Sequence, residues 1–191
     1  MAIQIWNPGS FVATGDPSTV DEATPFQPGQ LGTVVAVKHS TLFSVGSAPR
    51  VFQYILRDAT DGTTLVTNGG VAHWVDYDAF SVTQDESEQL GGTGAWHQAG
   101  VFFAAKPTVA QYGFIQVAGI GPLRLIDAPT AAASTLGLPC IPSTTDGRAD
   151  VIADWNDSGQ KPFAKTLSAK DAGSIGTHVI EALLFPDRNG W

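Results

Sequence analysis

The residues best suited to chemistry are two aspartates separated by a single position. Asp76 and Asp78 flank Tyr77, and on a strand both carboxylates would point to the same side. Such a pair could hold a cation or act as a general acid and base. No third acidic residue lies close by in the sequence, and Asp78 falls where a turn is expected. We therefore favour a solvated strand edge, with a hydrolase as the remote alternative.

The four histidines, at positions 39, 73, 97 and 178, stand in settings without a ligand motif. None has another histidine or a cysteine at the spacing that zinc sites use. His73 is predicted to lie on a strand, facing opposite to Trp74. His178 and Glu181 would share a face on a helix but face opposite ways on a strand. We expect no catalytic or metal-binding role for any of the four, and no cofactor.

A second candidate cation site is the run Asp154-Trp-Asn-Asp-Ser-Gly159. Its oxygen-bearing side chains and its glycine match the first half of a calcium-binding loop. The last position of such a loop requires a bidentate glutamate, and here it is Lys165, whose charge is wrong for a cation site. The run is therefore interpreted as an ordinary turn.

Nucleophilic catalysis and phosphate binding lack their usual sequence signals. No Gly-x-Ser-x-Gly elbow is present. The two glycine-rich stretches, Gly91-Gly-x-Gly94 and Gly119-x-Gly121, do not open a predicted helix. The five tryptophans raise another possibility, because exposed aromatic rings can stack on sugars. Most tryptophans in a β-protein of this size are core or interface residues. A glycan- or receptor-binding module, with Trp96 and Trp155 as candidate residues, is therefore kept as an alternative function.

Short strands are the elements that must position these residues. About ten apolar runs are each ended by glycine, proline or aspartate, which is typical of strands and turns. Residues 51–57 alternate, with Phe52 and Tyr54 on one side and Gln53 and Arg57 on the other. The fold class is therefore all-β: a small antiparallel β-barrel or sandwich with short strands, little helix and an extended N-terminal arm.

Two of these runs are apolar on both faces. Apart from Gln116 and Glu181, residues 112–118 and 179–185 are apolar or aromatic on both faces. This pattern predicts burial on both sides, inside a barrel or sandwich or between subunits. Residues 84–94, by contrast, are polar and end in a glycine cluster, and they predict an exposed, mobile loop.

Residues 1–30 differ from the rest of the 191-residue chain. Their four prolines and three glycines are incompatible with a long helix or a central strand. They still carry large apolar side chains, which disordered tails usually lack: Ile3, Ile5, Trp6, Phe11 and Phe26. We expect an extended arm, residues 1–30, on a β-rich body, residues 31–191. The arm either lies on a partner or wraps its own domain, and the sequence favours neither.

The charge balance excludes one large class of partners. The chain has 10 basic and 18 acidic residues and no basic cluster, so nucleic acid and anionic membranes are not expected partners. The lone Cys140 cannot form an internal disulfide and is expected to be a buried apolar residue. No signal peptide or membrane-spanning run is recognisable, which predicts synthesis in the cytoplasm.

The order of the segments resembles the small head decoration, or capsid cement, proteins of tailed phages. The matching pieces, in order, are Gln30-Leu-Gly-Thr-Val-Val, Val71-Ala-His-Trp-Val-Asp-Tyr, Phe80-Ser-Val-Thr, Gly100-Val-Phe-Phe-Ala-Ala, Tyr112-Gly-Phe-Ile-Gln-Val-Ala-Gly, Pro142-Ser-Thr-Thr-Asp-Gly-Arg-Ala-Asp and residues 180–185. The resemblance implies a non-enzymatic protein that binds the outer face of the capsid, commonly as trimers. The chain is long for the family, with residues 1–30 and 84–99 as additions.

We therefore predict a structural virion protein that binds the outer surface of a phage capsid and stabilises contacts between capsomers. The alternative is the glycan- or receptor-binding β-module, placed in a phage head fibre or tail. It is expected to be synthesised in the host bacterial cytoplasm, to lack enzymatic activity, and to have the major capsid protein and further copies of itself, in a homotrimer, as partners. The five apolar arm residues are the predicted capsid contacts. The predicted contacts between subunits are Tyr112, Phe114 and Trp191.

Overall fold

The computed structural model consists almost entirely of β-strands, which confirms the predicted all-β class. It describes residues 20–24, 31–37, 50–62, 68–92, 97–103, 107–126, 136–154, 161–168 and 178–185. One turn of 3₁₀ helix, Glu86–Glu88, is the single helical element in these ranges. The strands are β1 (Val34–Val37), β2 (Arg50–Arg57), β3 (Gly70–Asp76), β4 (Ser81–Thr83), β5 (Gln98–Phe102), β6 (Tyr112–Leu125), β7 (Pro139–Pro142), β8 (Ala149–Val151), β9 (Ala164–Thr166) and β10 (His178–Leu184).

Five of the strands close into a barrel. β2 pairs with β4 on one side and with β6 on the other, while β3 lies between β4 and β5, and β5 returns to β6. The pairings are antiparallel except for the parallel pair of β2 and β4. All five strands contribute to one apolar cluster, formed by Ile55, Ala72, Val82, Phe102, Ile115 and Val117. Closure leaves these strands without free edges.

The pairings close a second ring of five strands, which shares β6 with the barrel. β6 pairs with β10, β10 with β9, β9 with β7 and β7 with β8. β8 returns to β6 through one parallel pair, Leu125 with Ala149. The core of this ring includes Leu123, Cys140, Val151, Ala164 and Ile180, and Val71 and Val101 of the barrel join it. The two rings therefore pack against each other through a shared strand and a shared core.

The strand common to both rings, β6, is 14 residues long. The sequence predicts a strand over residues 112–118, and the structure continues it through Gly119 and Gly121 to Leu125. The backbone of Gly119 has a φ of 90°, a conformation that favours glycine. A Cβ on Gly121 would lie 2.5 Å from the amide oxygen of Gln116. Glycine therefore permits the strand to pass from one ring to the other without a turn.

Two sequence predictions need correction. Residues 51–57 form a strand with the expected alternation, but Gln53 and Arg57 are buried, so neither face is solvated. Residues 84–94 are not simply an exposed loop, because Gln84, Glu86 and Gln89 are buried. The backbone of this segment is held by the turn before β8: the Gly147 amide donates to the Gln84 carbonyl over 2.9 Å. Hydrogen bonds to distant parts of the chain thus order this polar segment, for which composition alone predicts a mobile loop.

The described part of the arm lies on its own body. Glu22 and Tyr112 exchange both backbone hydrogen bonds, at 2.9 and 2.8 Å. The Asp21 carboxylate accepts from the amide and the hydroxyl of Thr108. For residues 20–24, wrapping of the own domain is therefore the correct alternative. The five predicted capsid contacts of the arm lie outside the described residues.

Candidate functional site

The outer face of β10 carries two apolar residues, Val179 and Leu183, on either side of Glu181. Ile180, Ala182 and Leu184 point into the core. The alternate positions, Val179 and Leu183, point outward and are 39% and 37% exposed. A strand with one solvated face normally carries polar residues there. Packing among the described residues therefore leaves these two apolar side chains partly uncovered.

The apolar surface continues onto both neighbouring strands. Leu167 follows β9, is 38% exposed, and its amide donates to the Glu181 carbonyl over 2.8 Å. Ile120 of β6 lies opposite Leu183 and is half-buried. Together with Val179 and Leu183 these residues form what we call the β10 face, and Glu181 and Lys165 bring one charge of each sign to it. Such a surface suits contact with another protein.

A second exposed feature is the aromatic turn between β3 and β4, which we define by Trp74, Asp76, Tyr77, Asp78 and His97. The Tyr77 hydroxyl is hydrogen-bonded to Nδ1 of His97 over 2.9 Å. The Tyr77 ring lies 5.4 Å from the Trp74 ring and meets the His97 ring edge to face. These contacts fix the orientation of an aromatic ring that is 39% exposed.

The two aspartates of this turn have different roles. Oδ1 of Asp76 accepts hydrogen bonds from the amides of Asp78 and Ala79, at 2.8 and 3.1 Å, and so shapes the turn. Asp78 is exposed, and its carboxylate makes no hydrogen bond to the described residues. Both aspartates are solvated at the end of a strand, as the favoured interpretation expects.

His73 lies on the opposite face of β3 from Trp74 and is completely buried. Within the described residues neither ring nitrogen of His73 makes a hydrogen bond, although the side-chain amide of Gln89 lies close to the ring. Burial lowers the pKa of His73 to about 4, and the charges of Asp61 and Asp85 oppose this change only in part. The ring is therefore neutral at physiological pH and serves as a buried polar residue.

A buried ion pair lies at the end of β2. Nε of Arg57 donates to Oδ2 of Asp61 over 2.8 Å, and the guanidinium lies 5.9 Å from the centre of the Phe102 ring. Oδ2 of Asp61 also accepts a hydrogen bond from the backbone amide of Gln84 over 3.1 Å. Asp61 was not among the predicted site residues. The sequence feature that could have indicated the ion pair is the position of Asp61 four residues after Arg57.

The three residues predicted to form contacts between subunits lie in different environments. Phe114 is 2% exposed within a single chain and packs 5.0 Å from the Tyr54 ring, so it is a core residue. Tyr112 is half-buried beneath residues 20–24, and Trp191 lies outside the described residues. The β10 face, which carries three of the exposed apolar side chains, was not among the predicted site residues. The sequence feature that could have identified the β10 face is the presence of apolar residues on both sides of the run 179–185.

Metal and membrane sites were searched in the same part of the chain. No group of three or more His, Cys, Asp or Glu side chains in the described ranges could hold a metal ion. Of the calcium-like run, Asp154 is exposed and residues 155–160 lie outside those ranges. Among the described residues no helix has the length and apolarity needed to cross a bilayer.

No protein-family model, curated protein or solved structure matched this chain. The resemblance to capsid cement proteins therefore rests on the order of segments in the sequence. Function has to be argued from the surface of the molecule. Its two distinctive features are the apolar β10 face and the aromatic turn, of which the first is suited to protein contact.

Proposed function

We propose that this chain is a structural virion protein that binds the outer surface of a phage capsid and stabilises contacts between capsomers. The observation that carries the proposal is the β10 face, where Val179 and Leu183 are exposed at positions that a solvated strand fills with polar residues. Apolar surface of this kind is normally covered in a functional assembly. The partners in this proposal are the major capsid protein and further copies of the chain.

The architecture supports a mechanical role. The two rings share β6, and Val71 and Val101 tie their cores together. A body built in this way keeps its shape when neighbours pull on it, because both rings would have to open together. A capsid under outward pressure needs clamps of this type, and each copy contributes through interfaces of roughly 1,200–2,000 Å² in total.

The charge of the chain suits a capsid exterior. A net charge of −8 disfavours contact with packaged nucleic acid, whose phosphates attract lysine and arginine. On the β10 face, Glu181 and Lys165 supply opposite charges beside the apolar side chains. Two copies that meet through this face would bury its apolar side chains with charged residues at the rim, which is the usual arrangement of protein interfaces.

Cryo-electron microscopy of the parent particle tests the proposal directly. We expect density for the double-ring body on the outer shell, repeated with the symmetry of the capsid. Mass spectrometry of the same purified particles measures the copy number against the major capsid protein. Density on the tail alone, or absence of the chain from purified particles, would contradict the proposal.

A further inference from the structure

We propose that the start of β6 is a strand-addition site for an extended peptide in which an apolar residue precedes an aspartate, and that a second copy of the chain supplies this peptide. Within one chain the site is filled by residues 20–24, which we call the strap. The site lies where β6 pairs with β2 of the barrel, away from the β10 face. It therefore provides a contact between copies that involves neither that face nor a capsid.

The strap binds as an added strand beside the first residue of β6. Tyr112 pairs with Leu56 of β2 on one side, and on the other side it exchanges both backbone hydrogen bonds with Glu22, at 2.9 and 2.8 Å. β5 pairs with β6 further along, at Ile115 and Gln116. The strap therefore pairs with β6 beyond the end of β5. Main-chain hydrogen bonds of this kind are the usual means by which an extended peptide joins a sheet.

The body also recognises two side chains of the strap. Oδ1 of Asp21 accepts hydrogen bonds from the backbone amide and the hydroxyl of Thr108, at 2.7 and 3.0 Å. Val20 packs against the aromatic cluster that contains Tyr54. A Cβ on Gly113 would lie 2.6 Å from the Val20 carbonyl oxygen, so the strap approaches as closely as it does because this position is glycine. The ligand is thus defined by an apolar side chain, the carboxylate that follows it and an extended backbone.

Contacts within the body hold the site in shape. The turn over residues 107–111, which carries Thr108, is tied to the end of β2. Nη1 of Arg57 donates to the Pro107 carbonyl over 3.3 Å. The Arg57 amide donates to the Gln111 carbonyl over 2.9 Å, and the Arg57 carbonyl accepts from the Ala110 amide over 3.1 Å. None of these bonds involves the strap, and a preformed site loses little conformational freedom when a peptide binds.

The strap makes few contacts with the body. Glu22, Ala23 and Thr24 are exposed, and among the described residues one β-bridge joins the strap to β6. Segments with few buried contacts open locally more readily than the core strands do. A site vacated in this way fits the strap of any other copy, because every copy carries the same segment. Exchange of identical segments between protomers is a low-cost route to oligomers.

An NMR titration tests the site. The acceptor is the ¹⁵N-labelled full chain with Asp21→Ala and Glu22→Pro, which removes the carboxylate and the amide that the strap uses. The probe is the capped peptide of residues 18–24, acetyl-Ser-Thr-Val-Asp-Glu-Ala-Thr-amide, and its matched control has alanine in place of aspartate. We expect the probe to move the resonances of residues 108–113 toward their positions in the native chain. The control peptide should bind at least about fivefold more weakly, because it lacks the acceptor for the Thr108 donors.

A donor chain tests the exchange between copies. Gly113→Ala places a Cβ against the Val20 carbonyl, so that the donor's own site is blocked and its strap is free to bind elsewhere. Mixed with the labelled acceptor, the donor should produce the same shifts as the peptide, and light scattering should detect a dimer. Val109→Ala, at an exposed position of the same turn, is the matched control. That chain retains its own site, and its strap fills it at high effective concentration, so the shifts should be much smaller.

Three results would overturn the proposal. The first is the absence of shifts at residues 108–113 at millimolar peptide, and the second is equal binding of the two peptides. The third is peptide binding without any response to the donor chain, which would limit the site to the strap of its own chain. If Gly113→Ala misfolds, as the dispersion of its own spectrum would show, Thr108→Pro serves as the donor, because it removes both groups that bind Asp21. These measurements use no capsid, so this proposal and the capsid role fail independently.

Discussion

Arg57 and Asp61 form an ion pair in which both side chains are buried and the atoms Nε and Oδ2 lie 2.8 Å apart. The pair connects the last residue of β2 to the following turn and, through the Gln84 amide, to the segment after β4. The Arg57 guanidinium also donates to the Pro107 carbonyl over 3.3 Å. One buried charge thus holds three separate segments at the same end of the barrel.

We expect Asp61→Ala to destabilise the fold by about 3–5 kcal/mol, because it leaves the Arg57 charge buried without its carboxylate. Urea unfolding followed by tryptophan fluorescence measures the free energy of unfolding. The double variant Arg57→Met/Asp61→Leu should recover part of the loss, since no buried charge remains. Asp154→Asn, at an exposed aspartate, is the control. A loss below about 1 kcal/mol in Asp61→Ala would refute this role for the pair.

His73 predicts a stability change in mild acid. Its pKa is about 4 in the folded chain against an ordinary value of 6.5, so between these values the unfolded chain binds more protons. Stability is therefore constant above pH 6.5 with respect to this group and falls as the pH drops toward 4, by roughly 3 kcal/mol in total. The carboxylates of Asp61 and Asp85 oppose this lowering of the His73 pKa in part, and the neighbouring His97 adds to it.

The measurement is the urea midpoint at intervals from pH 4 to 8 for the native chain and for His73→Leu. The variant should lose most of the slope between pH 4 and 6.5, and carboxylate protonation accounts for what remains. His97→Gln serves as the control, because His97 is only half-buried. An unchanged slope in His73→Leu would show that the acid sensitivity arises elsewhere.

Cys140 should be chemically silent in the folded protein. It is fully buried, and burial raises the pKa of its thiol to about 12, with the charge of Asp150 acting in the same direction. The thiolate is the reactive form, and it is almost absent at pH 8. We expect no labelling by iodoacetamide at pH 8 in native conditions and one label per chain in 6 M guanidinium chloride. Rapid labelling of the native protein would contradict the burial of this residue.

The β10 face predicts a separation between association and folding. Val179→Lys and Leu183→Lys should each reduce self-association or capsid binding at least about tenfold, because a charge would be desolvated at the contact. Both side chains are partly exposed, so the free energy of unfolding should change by less than about 1 kcal/mol.

Val109→Lys is the matched control for the β10 face, since Val109 is equally exposed but lies on the turn before β6. Size-exclusion chromatography with light scattering gives the oligomeric state. Sedimentation of the chain with particles gives capsid binding. If Val109→Lys impaired association as much as Leu183→Lys, the β10 face would have no special role.

Local sequence signals were sufficient for the fold class and for most strands. Alternation in residues 51–57 placed Phe52 and Tyr54 on one side of β2, and the structure packs both in one cluster. Glycine, proline and Asp-Gly turns marked where the strands end. The closure of two rings through β6 was not predictable in this way, because strand pairing depends on residues far apart in the chain. Gln84, Glu86 and Gln89 were misjudged for the same reason, since the partners that bury them lie elsewhere in the sequence.

The runs 112–118 and 179–185 separate what the sequence determines from what only the tertiary structure decides. Both are largely apolar on two faces, and the sequence by itself determined that each would be a strand, while the absence of a solvated side was a prediction that the structure bears out in β6 and not in β10. In β6 the second face is covered inside the chain, where Phe114 packs against Tyr54 beneath residues 20–24. In β10 the same pattern leaves Val179 and Leu183 exposed. Apolar periodicity is a local property of the chain, whereas the surface that covers each face is brought there by long-range pairing.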